Sequence, residues 1–211
     1  MTTAVFFDLD LTLLQYTADF ETIFERALPN APDGAYERYV EGLLDAFDHL
    51  STTPYHAGFE AVVDEFDVDA DPDTLVSNYH DAELAATTVP AATHEAVTRV
   101  ATERPTGILT NGTLEMQRAK LEQHGLDDIV DAVVVSNDPV VAARKPNTAI
   151  FTTAEDALPA DDYVYVGDSY EEDIVGARNA GWEALHVGSD GPEDAPERVE
   201  SVEEATRRIL D

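Results

Sequence analysis

The chain reads as an α/β protein, a doubly wound parallel sheet with a helical domain inserted after its first strand. Three observations predict this. Five short apolar runs have the near-continuous hydrophobicity of strands buried on both faces. From residue 86 onward these runs alternate with segments of helical period, the pattern of a parallel sheet. Residues 17–85 break the alternation with four successive amphipathic segments. The predicted division is a core of residues 1–16 and 86–211 around an insert of 17–85.

Ala4–Phe7 is the first strand. Thr17–Leu28 then carries Phe20, Ile23, Phe24, Ala27 and Leu28 at helical spacing, and Pro29 and Pro32 stop it. Ala35–Leu50 puts Tyr36, Tyr39, Val40, Leu43, Leu44 and Phe47 on one face. Pro54 opens a third helix through Phe66, and Asp71-Pro72 opens a fourth. The chain returns near Pro90, and Ala92–Ala101 places Ala92, Ala96, Val97 and Val100 on one side. Strand Thr106–Leu109, helix Leu114–His124 with Gly125 as its C-cap, and strand Ala132–Val135 follow. Helix Asn147–Leu158 begins after Pro146 and stops before Pro159. Tyr163–Val166 and Ala184–Val187 are the last strands, with Glu171–Ala180 predicted helical up to Gly181. The acidic tail Pro192–Asp211 ends in a surface helix carrying Val199, Val202, Ala205 and Ile209.

Composition narrows the function. The 211 residues contain no cysteine, which excludes disulfides, thiolate zinc sites and cysteine nucleophiles. No apolar run is long enough to span a membrane, and Met1–Val5 lacks a signal peptide's basic start, so a cytoplasmic location is expected. Acidic residues outnumber basic ones 44 to 12, for a net charge of −32, and only Lys120 and Lys145 are lysines. With no basic stripe to meet phosphates, nucleic-acid binding is not expected. The hydrophobic fraction is an ordinary 44%, so the acids decorate a folded protein rather than a disordered one. The composition resembles that of proteins from salt-loving archaea. Oligomeric state is not legible.

Chemistry-bearing residues gather at strand ends. The first strand runs into Asp8-Leu9-Asp10-Leu11-Thr12, whose paired carboxylates reach the crevice where open α/β sheets bind ligands; a solvated acidic turn is the plainer reading. The second ends in Thr110-Asn111-Gly112, where a hydroxyl and free amides can hold a phosphate oxygen, or simply make a turn. Lys145 precedes a helix-opening proline, as a charge clamp on phosphate or as a surface cation near a cap. Gly167-Asp168-Ser169 and then Asp173 follow another strand. Their carboxylates, joined to Asp8, make an oxygen cage suited to Mg²⁺, while Asp168 or Ser169 could equally cap a helix.

In this order the four sites resemble the haloacid dehalogenase superfamily, which is dominated by phosphatases. The resemblance covers nearly the whole chain, including Gly176–Gly181, and the insert looks like that family's type 1 helical cap. It implies a Rossmann-like core and a magnesium-dependent phosphatase acting on a small phosphate ester. Asp8 would be the nucleophile and Asp10 the acid and base. Thr110, Asn111 and Lys145 would hold the phosphoryl group, and Asp8, the Asp10 carbonyl, Asp168 and Asp173 would serve the metal. The cap would form a lid over the strand ends, setting specificity. Leu11 and Val141-Ala142 depart from the family, standing where glycine is often found. Asp10 argues against a dehalogenase, because a halide needs no proton whereas an alkoxide leaving phosphorus does. A phosphomutase, or a scaffold on the same fold, is the alternative.

The charge excess carries its own test. At roughly 1 M salt the Debye length falls to about 3 Å, so repulsion between distant surface carboxylates is screened. Molar KCl should raise the unfolding midpoint and preserve or increase activity. Stability and kcat/KM that both peak in dilute buffer and fall steadily towards 2 M KCl would overturn the salt-adapted reading.

Overall fold

Alternation along the first strand sets the architecture. In β1 (Thr3–Phe7), Ala4 and Phe6 point into one apolar cluster while Val5 and Phe7 point into another, and all four are inaccessible to solvent. A strand buried on both faces has to sit inside a sheet covered on both sides. The computed structural model describes residues 1–192 and 195–211; positions 193 and 194 of the predicted acidic tail lie outside the described residues.

After β1 come β2 (Gln15–Tyr16), α1 (Phe20–Ala27), α2 (Ala35–Asp48), α3 (Pro54–Phe66), α4 (Pro72–Ala86) and β3 (Thr87–Thr88). The chain continues through α5 (Ala91–Glu103), β4 (Thr106–Thr110), α6 (Leu114–His124), β5 (Ala132–Val135), α7 (Thr148–Ala157) and β6 (Asp162–Gly167). A π-helical turn (Tyr170–Val175), α8 (Gly176–Asn179), β7 (Glu183–His186) and α9 (Val202–Leu210) complete it. The main sheet is parallel in the order β5-β4-β1-β6-β7, and β2 pairs with β3 in a separate ribbon. The chain divides into two compact units, Met1–Gln15 with Thr88–Asp211 and Tyr16–Thr87.

In the sheet-bearing unit one face is covered by Ala96, Val97 and Val100 of α5, Leu121 of α6, and Val202 and Ala205 of α9. The other is covered by Ile150, Phe151 and Ala154 of α7 with Ala177 and Trp182. The tail helix is thus not a surface helix. Val199, Val202 and Ala205 are buried in the core, because the strands need a second apolar cover beside α5. In the helical unit Phe24, Tyr39, Phe59 and Tyr79 form an aromatic core, with Tyr39 and Phe59 ring centroids 4.5 Å apart. Tyr39, Tyr55 and Tyr79 are buried, as cap-core aromatics rather than free recognition groups. Among the described residues no helix is long and apolar enough to cross a membrane.

Two further local readings change. Thr17–Leu28 starts later, because the Asp19 side chain accepts the Thr22 amide at 2.7 Å and caps α1 there. Glu171–Ala180 is not one α-helix. Asp173 and Ile174 both donate to the Ser169 carbonyl, at 3.0 and 3.3 Å, and widen the first turn into a π-turn before α8 begins. Such turns redirect side chains at functional positions. Here Asp173 and Ile174 are both buried, and Asp173, the polar one, is 1% exposed.

At the two positions where the family resemblance leads one to expect glycine, the backbone is left-handed without it, at φ 64° for Leu11 and 46° for Ala142. A left-handed L-residue costs roughly 1–2 kcal/mol, and glycine's greater unfolded-state freedom offsets part of any relief. Ala142→Gly should therefore raise the unfolding free energy by about 0.5–1 kcal/mol in denaturant titration. A loss of stability would show that the alanine is not strained.

Candidate active site

The sheet order reverses at β1, with β4 on one side and β6 on the other, so the loops leaving these strands diverge and open a crevice at their carboxyl ends. Asp8 is the first residue past β1, and its amide still extends the sheet by donating to Val166 O at 2.9 Å. Its side chain lies in that crevice beside Lys145, which arrives from the loop before α7.

Lys145 is 2% exposed. Its ammonium donates to Asp8 Oδ1 at 2.7 Å, Asp173 Oδ1 at 2.6 Å and the Tyr165 hydroxyl at 2.7 Å, so all three of its protons have acceptors. Tyr165 in turn donates to Leu109 O at 2.6 Å, tying β6 to β4 beneath the site. The other oxygen of Asp173 accepts the Ser169 amide at 2.9 Å. Gly167 permits this arrangement, because a Cβ there would collide with the Asp173 carboxylate. Thr12 donates to Asp168 Oδ1 at 2.9 Å and lies 3.4 Å from Asp8 Oδ2, bridging the first and last acidic motifs.

Asp8, Asp168 and Asp173 each offer an oxygen within 4.8 Å of the others. Three carboxylates face one ammonium, which leaves two negative charges unmatched in a buried place. The electrostatics follow from that imbalance. Asp8 is pushed up to about 8, chiefly by burial, with Lys145 pulling it down and Asp173 and Asp168 raising it further. Asp168 is raised by burial too, against the Thr12 hydrogen bond. Burial opposes the Lys145 charge, but Asp173 and Asp8 outweigh it and hold its proton more tightly than water would. A hard divalent cation fits both the oxygen donors and the missing charge.

Thr110 is buried at the end of β4, its Oγ1 accepting from Gln117 Nε2 at 2.9 Å. Asn111 is committed elsewhere. Its Oδ1 accepts the Lys145 amide at 2.9 Å, and its Nδ2 donates to Lys145 O at 3.2 Å and Glu172 Oε2 at 2.8 Å. The side chain expected to bind substrate is thus tied to the Lys145 backbone and Glu172 instead. Asp10 lies apart from the carboxylate cluster, its side chain 26% exposed and held by Gln117 and Lys120 of α6.

Sequence reasoning did not single out Tyr165, Gln117 or Lys120, and it left Thr12 unassigned. Thr12 had a signal, as the last member of the motif. Lys120 had one in the near absence of lysine. Tyr165 reads as one more apolar strand residue.

Residues 2–181 match the family model described as haloacid dehalogenase-like hydrolase. A glyceraldehyde 3-phosphate phosphatase of Pyrococcus furiosus is 27% identical over 195 residues, covering 86% of this chain and 78% of its own. A ribulose-1,5-bisphosphate 5-phosphatase of Halopiger xanaduensis is 38% identical over 106 residues, 49% of this chain and 43% of its own. Among solved structures, a HAD phosphatase from Thermococcus onnurineus shows a TM-score of 0.70 at 28% identity, covering 100% of this chain and 98% of that one.

The raised Asp8 carboxyl makes a pH prediction for the metal-free protein. Between its ordinary value of 3.8 and about 8, the folded chain keeps a proton that the unfolded chain has released. Its stabilising contribution is full below pH about 4 and gone above about 8. In EDTA the urea midpoint should fall from pH 5 to pH 8, and Asp8→Asn should flatten that fall. Millimolar MgCl₂ should restore wild-type stability at pH 8. A wild-type midpoint that climbs across this interval in EDTA would contradict the account.

Proposed function

Since the chain belongs to the haloacid dehalogenase-like hydrolases, we propose that it hydrolyses a small phosphate monoester through an aspartyl-phosphate formed on Asp8, with Mg²⁺ as cofactor. One observation carries the reading. A carboxylate at the carboxyl end of the central strand sits against a fully paired lysine, within a cluster of two further carboxylates. The phosphatase names of the curated relatives set the same reaction class.

Asp8 forms the bond to phosphorus as the ester bond breaks, and the departing oxygen takes a proton from the Asp10 carboxyl. Water then attacks the aspartyl-phosphate and loses its proton to the Asp10 carboxylate, freeing phosphate and Asp8. The Thr110 hydroxyl would hold a transferring oxygen, and Lys145, kept beside Asp8 by Asp173 and Tyr165, would neutralise charge there, the positioning and neutralisation that phosphoryl transfer demands. Asp8, Asp168 and Asp173, with the Asp10 carbonyl, would hold Mg²⁺, which when bound supplies the positive charge the cluster lacks and neutralises the phosphoryl oxygens. Sugar phosphates and related small esters are the substrate class, in keeping with what the two named relatives act on. The helical unit, inserted by the chain directly after the D-x-D-x-T motif, is the element we assign to choosing among them and closing the site. A cytoplasmic location is part of the proposal. We read the charge of −32 as a surface suited to concentrated salt.

Phosphate release from 4-nitrophenyl phosphate and a panel of sugar phosphates tests the proposal. Turnover should require Mg²⁺, stop in EDTA, and drop at least about 10³-fold in Asp8→Asn while the fold is kept. A folded Asp8→Asn variant with near-normal turnover would falsify the covalent mechanism.

A further inference from the structure

Both lysines of this chain are buried to 2% exposure, and each grips one aspartate of the Asp8-Leu9-Asp10 pair. Lys145 holds Asp8. Lys120 stands on α6, outside every motif considered above, and donates to Asp10 Oδ1 at 2.8 Å. Gln117, one turn earlier on the same helix face, donates to Asp10 Oδ2 at 2.7 Å. Both carboxylate oxygens of Asp10 are therefore held from one helix. The same Gln117 amide reaches Thr110 Oγ1 at 2.9 Å and Asn111 O at 3.3 Å. Gly112 leaves room for it: its φ is 149°, and a Cβ there would approach Gln117 Cδ to 2.9 Å.

We infer that Lys120, with Gln117 beside it, is a positioning residue that orients the Asp10 carboxylate for acid–base work. The inference rests on the phosphatase reading and deepens it. Three features support orientation over an incidental ion pair. The helix that carries the pair is fixed, since Thr113 caps it and Met116 and Leu121 are buried beneath it. Asp10 keeps partial exposure, at 26% of its side chain, so the held group still faces the crevice. And the cation is desolvated, so its contact with Asp10 is not screened as a surface pair is. A carboxylate that must meet a leaving oxygen in one step and a water in the next gains from being held at both ends, because a misplacement of about 1 Å costs about 100-fold in rate.

The competing account is structural: Lys120 is a buried cation that Asp10 merely neutralises. A double-mutant cycle separates the two, measured with Mg²⁺ on an alkyl phosphate and on 4-nitrophenyl phosphate. Lys120→Met should lower kcat on the alkyl ester about 100-fold with KM changed less than about 3-fold, and lower it less on the aryl ester, whose leaving group needs no acid. Placed on Asp10→Asn, the same substitution should cost less than about 2-fold more, since its route through the Asp10 carboxylate is gone. Circular dichroism and a melting curve check folding, and Lys120→Gln takes the place of a Lys120→Met protein that does not fold. Wild-type-like kcat in the folded variant, or the full loss repeated on Asp10→Asn, overturns the inference while leaving the phosphatase reading standing. A wild-type protein that releases no phosphate, or whose turnover survives Asp8→Asn, sinks the phosphatase reading, and this inference with it.

Discussion

A lysine ammonium stripped of water is stable only where acceptors take all its protons, and that requirement organises this molecule around Lys145. Its acceptors come from the end of β1, the middle of β6 and the turn after β6. To bring these within 2.7 Å of one nitrogen, β1 and β6 must be neighbours in register and β4 must lie close enough for Tyr165 to reach Leu109 O. The apolar faces of the sheet supply the driving force for folding. The buried charge is satisfied in this arrangement of strands. Removing one partner of such a pair typically costs 3–5 kcal/mol, because a charge is left buried and unmatched.

The same constraint explains the irregularities of the last acidic motif. Asp173 is buried in the widened turn on Ser169 O. Glycine at 167 then lets the Asp173 carboxylate lie against the backbone. Asn111 reaches across to the Lys145 main chain and fixes the lysine from behind. Each of these residues reads locally as a cap or a turn. Together they form a scaffold for one ammonium.

How much was legible in the sequence follows from the same physics. Strands buried on both faces leave apolar runs, so all five appeared with ends within one or two residues. Carboxylates and a rare lysine placed in order at successive strand ends make a conspicuous pattern, so Asp8, Lys145, Asp168 and Asp173 are legible in the sequence. The π-turn was hidden because α and π periods differ too little over six residues to separate. The burial of the tail helix was hidden because an amphipathic segment does not state what it packs against. Gln117 is hidden because a polar residue on a helix looks like part of a solvated face, and the rarity of lysine marks Lys120 without saying what it holds. Only their distances to Asp10 show otherwise.

Residues 8 and 10 are two carboxylates two positions apart, yet their surroundings differ in kind. Asp8 is 6% exposed within a cluster short of positive charge, where burial favours its neutral form. Asp10 is a quarter exposed, with Lys120 and Gln117 of α6 donating to its two oxygens. In the proposed reaction the nucleophile's charge state depends on a divalent cation completing the cluster, whereas the acid–base group answers to a local cation from α6. In a chain of net charge −32, whose two lysines are both buried, each aspartate of the pair is in contact with a different one. That division lets one strand end present two chemically different carboxylates side by side.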